Sequence, residues 1–292
     1  MVMTHRFTQL FAAPHRKAFI PFFTLGDPDP GASFELICTA VEAGADAIEL
    51  GFPFSDPITD GPVNQRSMQR ALKAGTTYAT CLELLRRIRS RYPALPIGLL
   101  LYYNLLHMRG DRAYAEFADI GIDAIVCSDL PFDESEGHMQ MLAAHGLGCI
   151  QMVAPNTPGD RASKLLDHSS AFTYVISRFG TTGTNEHFDD EALRRIERLR
   201  QSTSQPFVVG FGISTVAQAQ AFWQRGANGV IVGSLFSLCI ENHLQSIPSV
   251  HAFIDGFISE VQGGKACQNV QDAASPTQRV VAAPSFPARN ER

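Results

Sequence analysis

Glu49, Asp56 and Asp60 all fall in one stretch, D-A-I-E-L-G-F-P-F-S-D-P-I-T-D-G-P, running from Asp46 to Pro62. Ala47, Ile48, Leu50 and Gly51 make an apolar run with Glu49 inside it, and the run breaks at Gly51 and Pro53. Desolvating an unpaired carboxylate costs several kcal/mol or more. Glu49 is therefore either a solvated strand end or an acid held for chemistry. Side chains alternate along a strand, so if Ala47 and Gly51 face an enclosed interior, Glu49 faces it too. Burial there raises its pKa, which suits a general acid. Asp56 and Asp60 belong to the loop that follows, where the bland reading is turn formation and the sharper one is a second acid at the same mouth.

The elements that must position these acids repeat along the chain. Apolar runs at Ala18 to Phe23, Ala47 to Gly51, Pro96 to Tyr102, Asp123 to Cys127, Cys149 to Val153, Phe172 to Ile176, Pro206 to Val209 and Gly229 to Val232 read as eight strands, each preceded by a helical segment. A short phrase recurs at the helix-to-strand joints: A-G-A-D-A-I-E-L, I-G-I-D-A-I-V-C, H-G-L-G-C-I-Q-M and R-G-A-N-G-V-I-V. A glycine stops a helix, a small or polar residue turns, and an apolar strand starts. Eight such units predict an α/β fold, a (β/α)8 TIM barrel, with an extra N-terminal helix over residues 4–16 and an extra helix after strand two. An open doubly wound sheet is the alternative, but no G-x-G-x-x-G follows strand one. Residues 1–262 read as a single barrel domain. Residues 263–292 lack periodicity and are rich in Ala, Pro, Gln and Ser, which predicts a disordered tail.

Composition narrows the functional classes. The chain has 292 residues, 45% of them hydrophobic, and a net charge of −5 without a basic run. That excludes a nucleic-acid footprint. No apolar segment approaches the ~18–20 residues needed to span a bilayer, and the opening residues are too short and polar for a secretory signal; a cytoplasmic enzyme is expected. The six cysteines have no C-x-x-C pair and the nine histidines form no ligand pattern. They predict neither disulfides nor a metal.

In such a barrel the active site lies at the C-terminal ends of the strands. There the sequence places Phe22, Glu49, Asp60, Leu100, Tyr102 and Asp129, then three glycine-bearing loops: F-G-T-T-G-T with Thr182 and Gly183, G-F-G-I-S with Gly212, and Gly233–Ser234. Glycines let backbone N–H groups approach an anion, and a helix starting at Ser234 adds its dipole. A cradle for a phosphate monoester and three plain turns are the two readings. Phe22, Leu100, Tyr102 and Tyr103 supply either an apolar wall beside the acids or ordinary barrel core. Asp129 is first read as a cap.

P-F-F-T-L-G-D-P from Pro21, E-A-G-A-D-A-I-E-L-G-F-P-F-S-D-P-I-T-D-G-P from Glu42, P-I-G-L-L-L-Y-Y-N from Pro96, S-D-L-P from Ser128 and G-F-G-I-S from Gly210 closely resemble the tryptophan synthase alpha chain family. The match runs in order from about residue 4 to residue 262, and the acidic stretch carries most of its specificity. The resemblance implies a lyase that cleaves indole-3-glycerol phosphate to indole and glyceraldehyde 3-phosphate. It implies a beta-chain partner, in an alpha2beta2 heterotetramer, that carries pyridoxal phosphate; no cofactor is expected in this chain. Glu49 matches the general acid–base and Asp60 the acid that binds the indole N–H. Phe22, Leu100, Tyr102 and Tyr174 are expected in the indole and glycerol pocket. Thr182, Gly183, Gly212, Gly233 and Ser234 are expected at the phosphate. Asp56 and Pro57 fall in a loop that meets the partner, and the segment from Arg178 to about Phe188 matches a second loop that closes over substrate.

Two positions depart from the pattern: Phe179 and Leu235 stand where small residues are usual. The competing readings are a stand-alone lyase releasing free indole, a different phosphate-binding barrel such as an isomerase, and a non-catalytic activating subunit. The unbroken acidic stretch argues against the second, and Glu49 with Asp60 against the third.

Overall fold

The computed structural model describes residues 6–13, 17–177, 190–210 and 212–274, with side chains through residue 265. Eight strands are present among them: β1 Ala18–Thr24, β2 Ile48–Gly51, β3 Ile97–Leu101, β4 Ala124–Cys127, β5 Gly148–Val153, β6 Phe172–Ile176, β7 Phe207–Gly210 and β8 Gly229–Val232. Each pairs in parallel with the next, and β8 pairs with β1 to close the barrel. The surrounding helices are α1 Arg6–Phe11, α2 Pro30–Glu42, α3 Pro62–Lys73, α4 Tyr78–Arg91, α5 Tyr103–His107, α6 Asp111–Ile120, α7 Glu136–Ala144, α8 Gly159–Asp167, α9 Asp190–Ser202, α10 Val216–Gln224, α11 Ser234–Asn242 and α12 Ile247–Ala274. The fold is the expected (β/α)8 barrel. The extra helix before β1 and the extra helix after β2 are both there, and the short α5 adds a further one after β3.

Period-two alternation divides the core into two layers. Ala18, Ile20, Phe22, Ala47, Val126, Ile150, Phe172, Tyr174, Val208 and Ile231 pack inside the barrel. Phe19, Phe23, Ile48, Leu50, Leu99, Val209 and Val230 point outward to the helices. The recurring joint phrase has a backbone cause: Gly44, Gly121, Gly146 and Gly226 all have positive φ, from 68° to 105°. A side chain at such a helix end is strained, so glycine ends the helix and re-aims the chain into the next strand.

One end of the barrel is plugged. Phe7 of α1 sits edge-on to Phe172 with ring centroids 5.1 Å apart, and lies 3.6 Å from where a Cβ on Gly98 would be. Arg6 holds this plug by an ion pair with buried Asp123 at 2.8 Å. Asp123 also accepts from Arg89 and from the Ile97 N–H, each at 2.9 Å. With its N-terminal end stoppered, the lumen opens at the opposite end, where the β-to-α loops lie.

The expected tail needs correction over its first part. α12 does not stop near Gly263 but runs to Ala274. Val261 is fully buried, Lys265 pairs with Asp46 at 2.5 Å, and the Lys265 ammonium lies 5.3 Å from the Trp223 ring centroid. Those tertiary contacts outweigh the low helix propensity of Gly263 and Gly264. Residues 275–292 lie outside the described residues.

Candidate active site

Glu49 projects into the lumen between Ala47 and Gly51, as the alternation requires. In register it lies beside Phe22 on β1 and Gly98 on β3. It is 3% exposed, and its Oε1 has no hydrogen-bond partner within the protein. Burial, with a smaller push from the charge of Asp60, raises its pKa to about 8. At neutral pH Glu49 is therefore a protonated carboxylic acid.

Asp60 is held differently. It lies on the loop after β2, just before Gly61 caps α3 and Pro62 opens it. Proline suits that first helical position because its φ is pre-set and its missing N–H is not needed there. Tyr102 Oη donates to Asp60 Oδ2 at 2.5 Å, and Asn64 Nδ2 donates to Oδ1 at 3.4 Å. Gln65 Nε2 ties the loop down through the carbonyls of Asp60 at 2.8 Å and Pro57 at 3.3 Å. Burial raises the pKa of Asp60, while the two side-chain donors favour its ionised form. Two acids thus share a site but are held differently: Glu49 is buried without a partner and donor-competent, whereas Asp60, also raised by burial, has two side-chain donors that favour its ionised form.

Both acids line a cavity at the open end of the barrel, enclosing roughly 560 Å³ of empty space that is partly open to solvent. Phe22, Val63, Leu100, Tyr174, Ile213 and Ile231 form its apolar wall, and Gly212, Gly233 and Ser234 complete its lining. The aromatic wall depends on glycines. A Cβ on Gly51 would fall 2.7 Å from the Phe22 ring, and one on Gly233 2.8 Å from it. A Cβ on Gly210 would fall 2.1 Å from the Tyr174 hydroxyl. Gly212 has φ +76°, a conformation costly for any side chain, and Ser234 is the first residue of α11, so a helix N-terminus lines the cavity. The arrangement can protonate an apolar ring from one acid, hold a developing cation on the other, and seat an anion at backbone N–H groups.

Of the residues singled out in the sequence, Phe22, Glu49, Asp60, Leu100, Tyr174, Gly212, Gly233 and Ser234 meet in this one cavity. Tyr102 takes a different place from the one expected. It does not line the cavity; its ring stacks on Phe54 with centroids 4.9 Å apart, and its hydroxyl stands behind Asp60. Thr59 fixes it there, donating to Tyr102 Oη from its N–H at 3.2 Å and from Oγ1 at 2.8 Å. Asp129, expected to cap the turn that follows it, instead accepts from the Tyr103 N–H at the start of α5 at 2.7 Å. Asp56 and Pro57 lie on the rim outside the cavity, next to Ile58, which is 81% exposed. Thr182, Gly183, Phe179 and the loop from Arg178 to Phe188 lie outside the described residues. Val63, Asn64, Ile213 and Ile231 line the cavity without having stood out in the sequence. For Asn64 the available sign was its spacing, one helical turn beyond Asp60. Among the described residues no cluster of His, Cys, Asp or Glu could hold a metal ion, and no helix is long and apolar enough to cross a membrane.

Comparison with known proteins gives a consistent answer. The family model for the tryptophan synthase alpha chain matches residues 8–261. The tryptophan synthase alpha chain of Yersinia pseudotuberculosis is 40% identical over 261 residues, covering 88% of this chain and 97% of the relative. That of Shewanella oneidensis is 44% identical over 234 residues, covering 80% and 84%. In a structure of the tryptophan synthase a2b2 complex from Pyrococcus furiosus, one chain superposes with a TM-score of 0.78 at 33% identity, covering 84% of this chain and 98% of that one. A chain in the aminoacrylate-bound tryptophan synthase of M. tuberculosis superposes with a TM-score of 0.76 at 28% identity, covering 88% and 99%.

Proposed function

This chain belongs to the tryptophan synthase alpha chain family, and from that membership we propose that Glu49 and Asp60 carry out its reaction. The enzyme is a lyase that cleaves indole-3-glycerol phosphate to indole and glyceraldehyde 3-phosphate and works with a beta chain. The observation that carries the residue assignment is the pairing of a fully buried, protonated Glu49 with a hydrogen-bonded Asp60 in one cavity.

The steps follow from the chemistry of the two acids. Glu49 donates its proton to the indole ring carbon that bears the side chain. The ring becomes electron-poor, with positive charge on its nitrogen, and the Asp60 carboxylate holds that N–H and stabilises the charge. Glu49, now a carboxylate, takes the proton of the side-chain hydroxyl on the carbon attached to the ring. The ring–side-chain bond breaks, its electron pair returns to the ring, and the oxygen becomes the aldehyde carbonyl. Glu49 ends protonated, ready for another turnover. Phe22, Leu100 and Tyr174 enclose the ring, excluding water from the cation. Gly212, Gly233 and Ser234 seat the phosphate, together with Thr182 and Gly183.

The rim loop with Asp56 and Pro57 is the proposed contact with the beta chain. Ile58, next to Pro57 on the same loop, is exposed and so is available to such a contact. An alpha2beta2 assembly, pyridoxal phosphate confined to the beta chain, and a cytoplasmic location complete the proposal. The decisive experiment is indole release from indole-3-glycerol phosphate, measured with and without beta chain. Glu49→Gln should abolish it while leaving substrate binding largely intact; undiminished turnover removes Glu49 from the mechanism.

A further inference from the structure

Asn64 is the polar residue of the cavity that this scheme leaves without a task. It stands in the first turn of α3 and lines the cavity beside both acids. Its Nδ2 donates to Asp60 Oδ1. A carboxylate only accepts, so this contact fixes the amide: the nitrogen faces Asp60, and Oδ1 is the free atom. Asn64 Oδ1 is buried and has no hydrogen-bond partner within the protein. A desolvated acceptor left unmet is costly. Its neighbours on the ring side, Val63, Leu100 and Ile213 among them, present apolar side chains. The substrate's ring N–H is a donor that can meet it. Once the ring N–H lies on Asp60, it is also beside the amide that is bonded to Asp60.

We propose that Asn64 aligns the Asp60 carboxylate and shares the substrate's ring N–H with it through Oδ1. This rests on the assignment of Glu49 and Asp60 given above. The nearby titratable groups coupled to Asp60 are Glu49 from β2, Tyr102 at the end of β3 and Tyr174 from β6. None of them occupies the place of the Asn64 amide. Removing it takes away a donor that favours the ionised Asp60, so the acid limb of the pH profile should move to higher pH.

The test is steady-state cleavage by the alpha chain with beta chain bound, across a pH series, for wild type, Asn64→Leu and Asn64→Ser. Leu matches Asn in size and suits the apolar wall; Ser stays polar but is too short to reach Asp60, and serves if the leucine variant folds poorly. Both variants should lose about tenfold in kcat/KM, the lower end for a hydrogen bond to a charged group. The loss should fall mainly on kcat, with the acid limb shifted upward. In an Asp60→Asn background the same substitutions should cost much less, because the two side chains act as a unit. Unchanged kcat/KM overturns the proposal, and so does a lower rate with an unmoved acid limb. Either result with Glu49→Gln inactive leaves the assignment of the two acids standing. A wild-type enzyme that does not cleave the substrate overturns that assignment itself.

Discussion

Tyr102 and Asp60 are joined by a 2.5 Å hydrogen bond that ties the end of a barrel strand to the loop carrying the second acid. Burial would drive a proton onto Asp60, and the Tyr102 hydroxyl opposes this more than any other group. Tyr102→Phe should therefore raise the Asp60 pKa further and move the acid limb of kcat to higher pH. A lost hydrogen bond to a charged group corresponds to a ~10–100-fold lower kcat where Asp60 must be ionised. A pH series for the variant reads both effects. If the acid limb stays where it is in wild type, Tyr102 merely packs against Phe54.

Glu49 links function to stability. Its pKa is raised from 4.5 to about 8 in the folded chain, chiefly by burial. Below the unfolded pKa both states hold the proton and nothing is lost. Between the two values only the folded state holds it, so stability declines as pH rises, and the decline ends above about 8. The total is on the order of a few kcal/mol. Glu49→Gln has no proton to lose and should escape the decline. Urea midpoints at pH 5 and pH 8.5 should show the variant gaining on wild type at the higher pH. Parallel shifts in both proteins would mean that Glu49 ionises freely in the fold. The same titration predicts a falling rate above pH 8, since the first proton transfer needs the acid form.

Asp60→Asn keeps the side chain's size but replaces a charge with a dipole opposite the developing ring cation. The cleavage rate should drop by ~10²–10⁴, the range for a lost electrostatic or acid–base group. Substrate affinity should change little, because the charge on the ring develops only in the transition state. A loss below tenfold would confine Asp60 to shaping its loop.

The fold was legible because its signals are local and repeated. Each joint glycine announced its positive φ, and Phe172–Ile176 and Gly229–Val232 coincide with the observed strands. Glu49 was legible because a carboxylate inside an apolar run is costly without a purpose. What escaped depended on distant partners. Tyr102 looked like a wall residue because nothing in its own segment shows that Thr59 turns its hydroxyl toward Asp60. Asn64 did not stand out, since its exposure to the cavity is decided by how α3 packs. The last turns of α12 looked aperiodic because Lys265 is held by Asp46, more than two hundred positions earlier.

Arg70 and Asp27 provide a further test, one that concerns the frame around the cavity. Asp27, 2% exposed, follows β1 and receives both Nε and Nη2 of Arg70 at 2.8 Å, along with Ser67 Oγ at 2.6 Å. Arg70 also reaches Glu241 at 3.3 Å and the Ser237 carbonyl at 3.2 Å, both on α11. The guanidinium thus braces α3, which begins just after Asp60, against α11, which begins at the proposed phosphate corner. Arg70→Met strands a buried carboxylate and should destabilise the chain by about 3–5 kcal/mol, measurable as a lower urea midpoint. Adding Asp27→Asn removes the stranded charge, so the double variant should recover part of that loss. If the brace sets the spacing between acid and phosphate, KM for indole-3-glycerol phosphate should rise even in the double variant, where stability is partly restored. A normal KM there would make the ion pair a matter of folding alone.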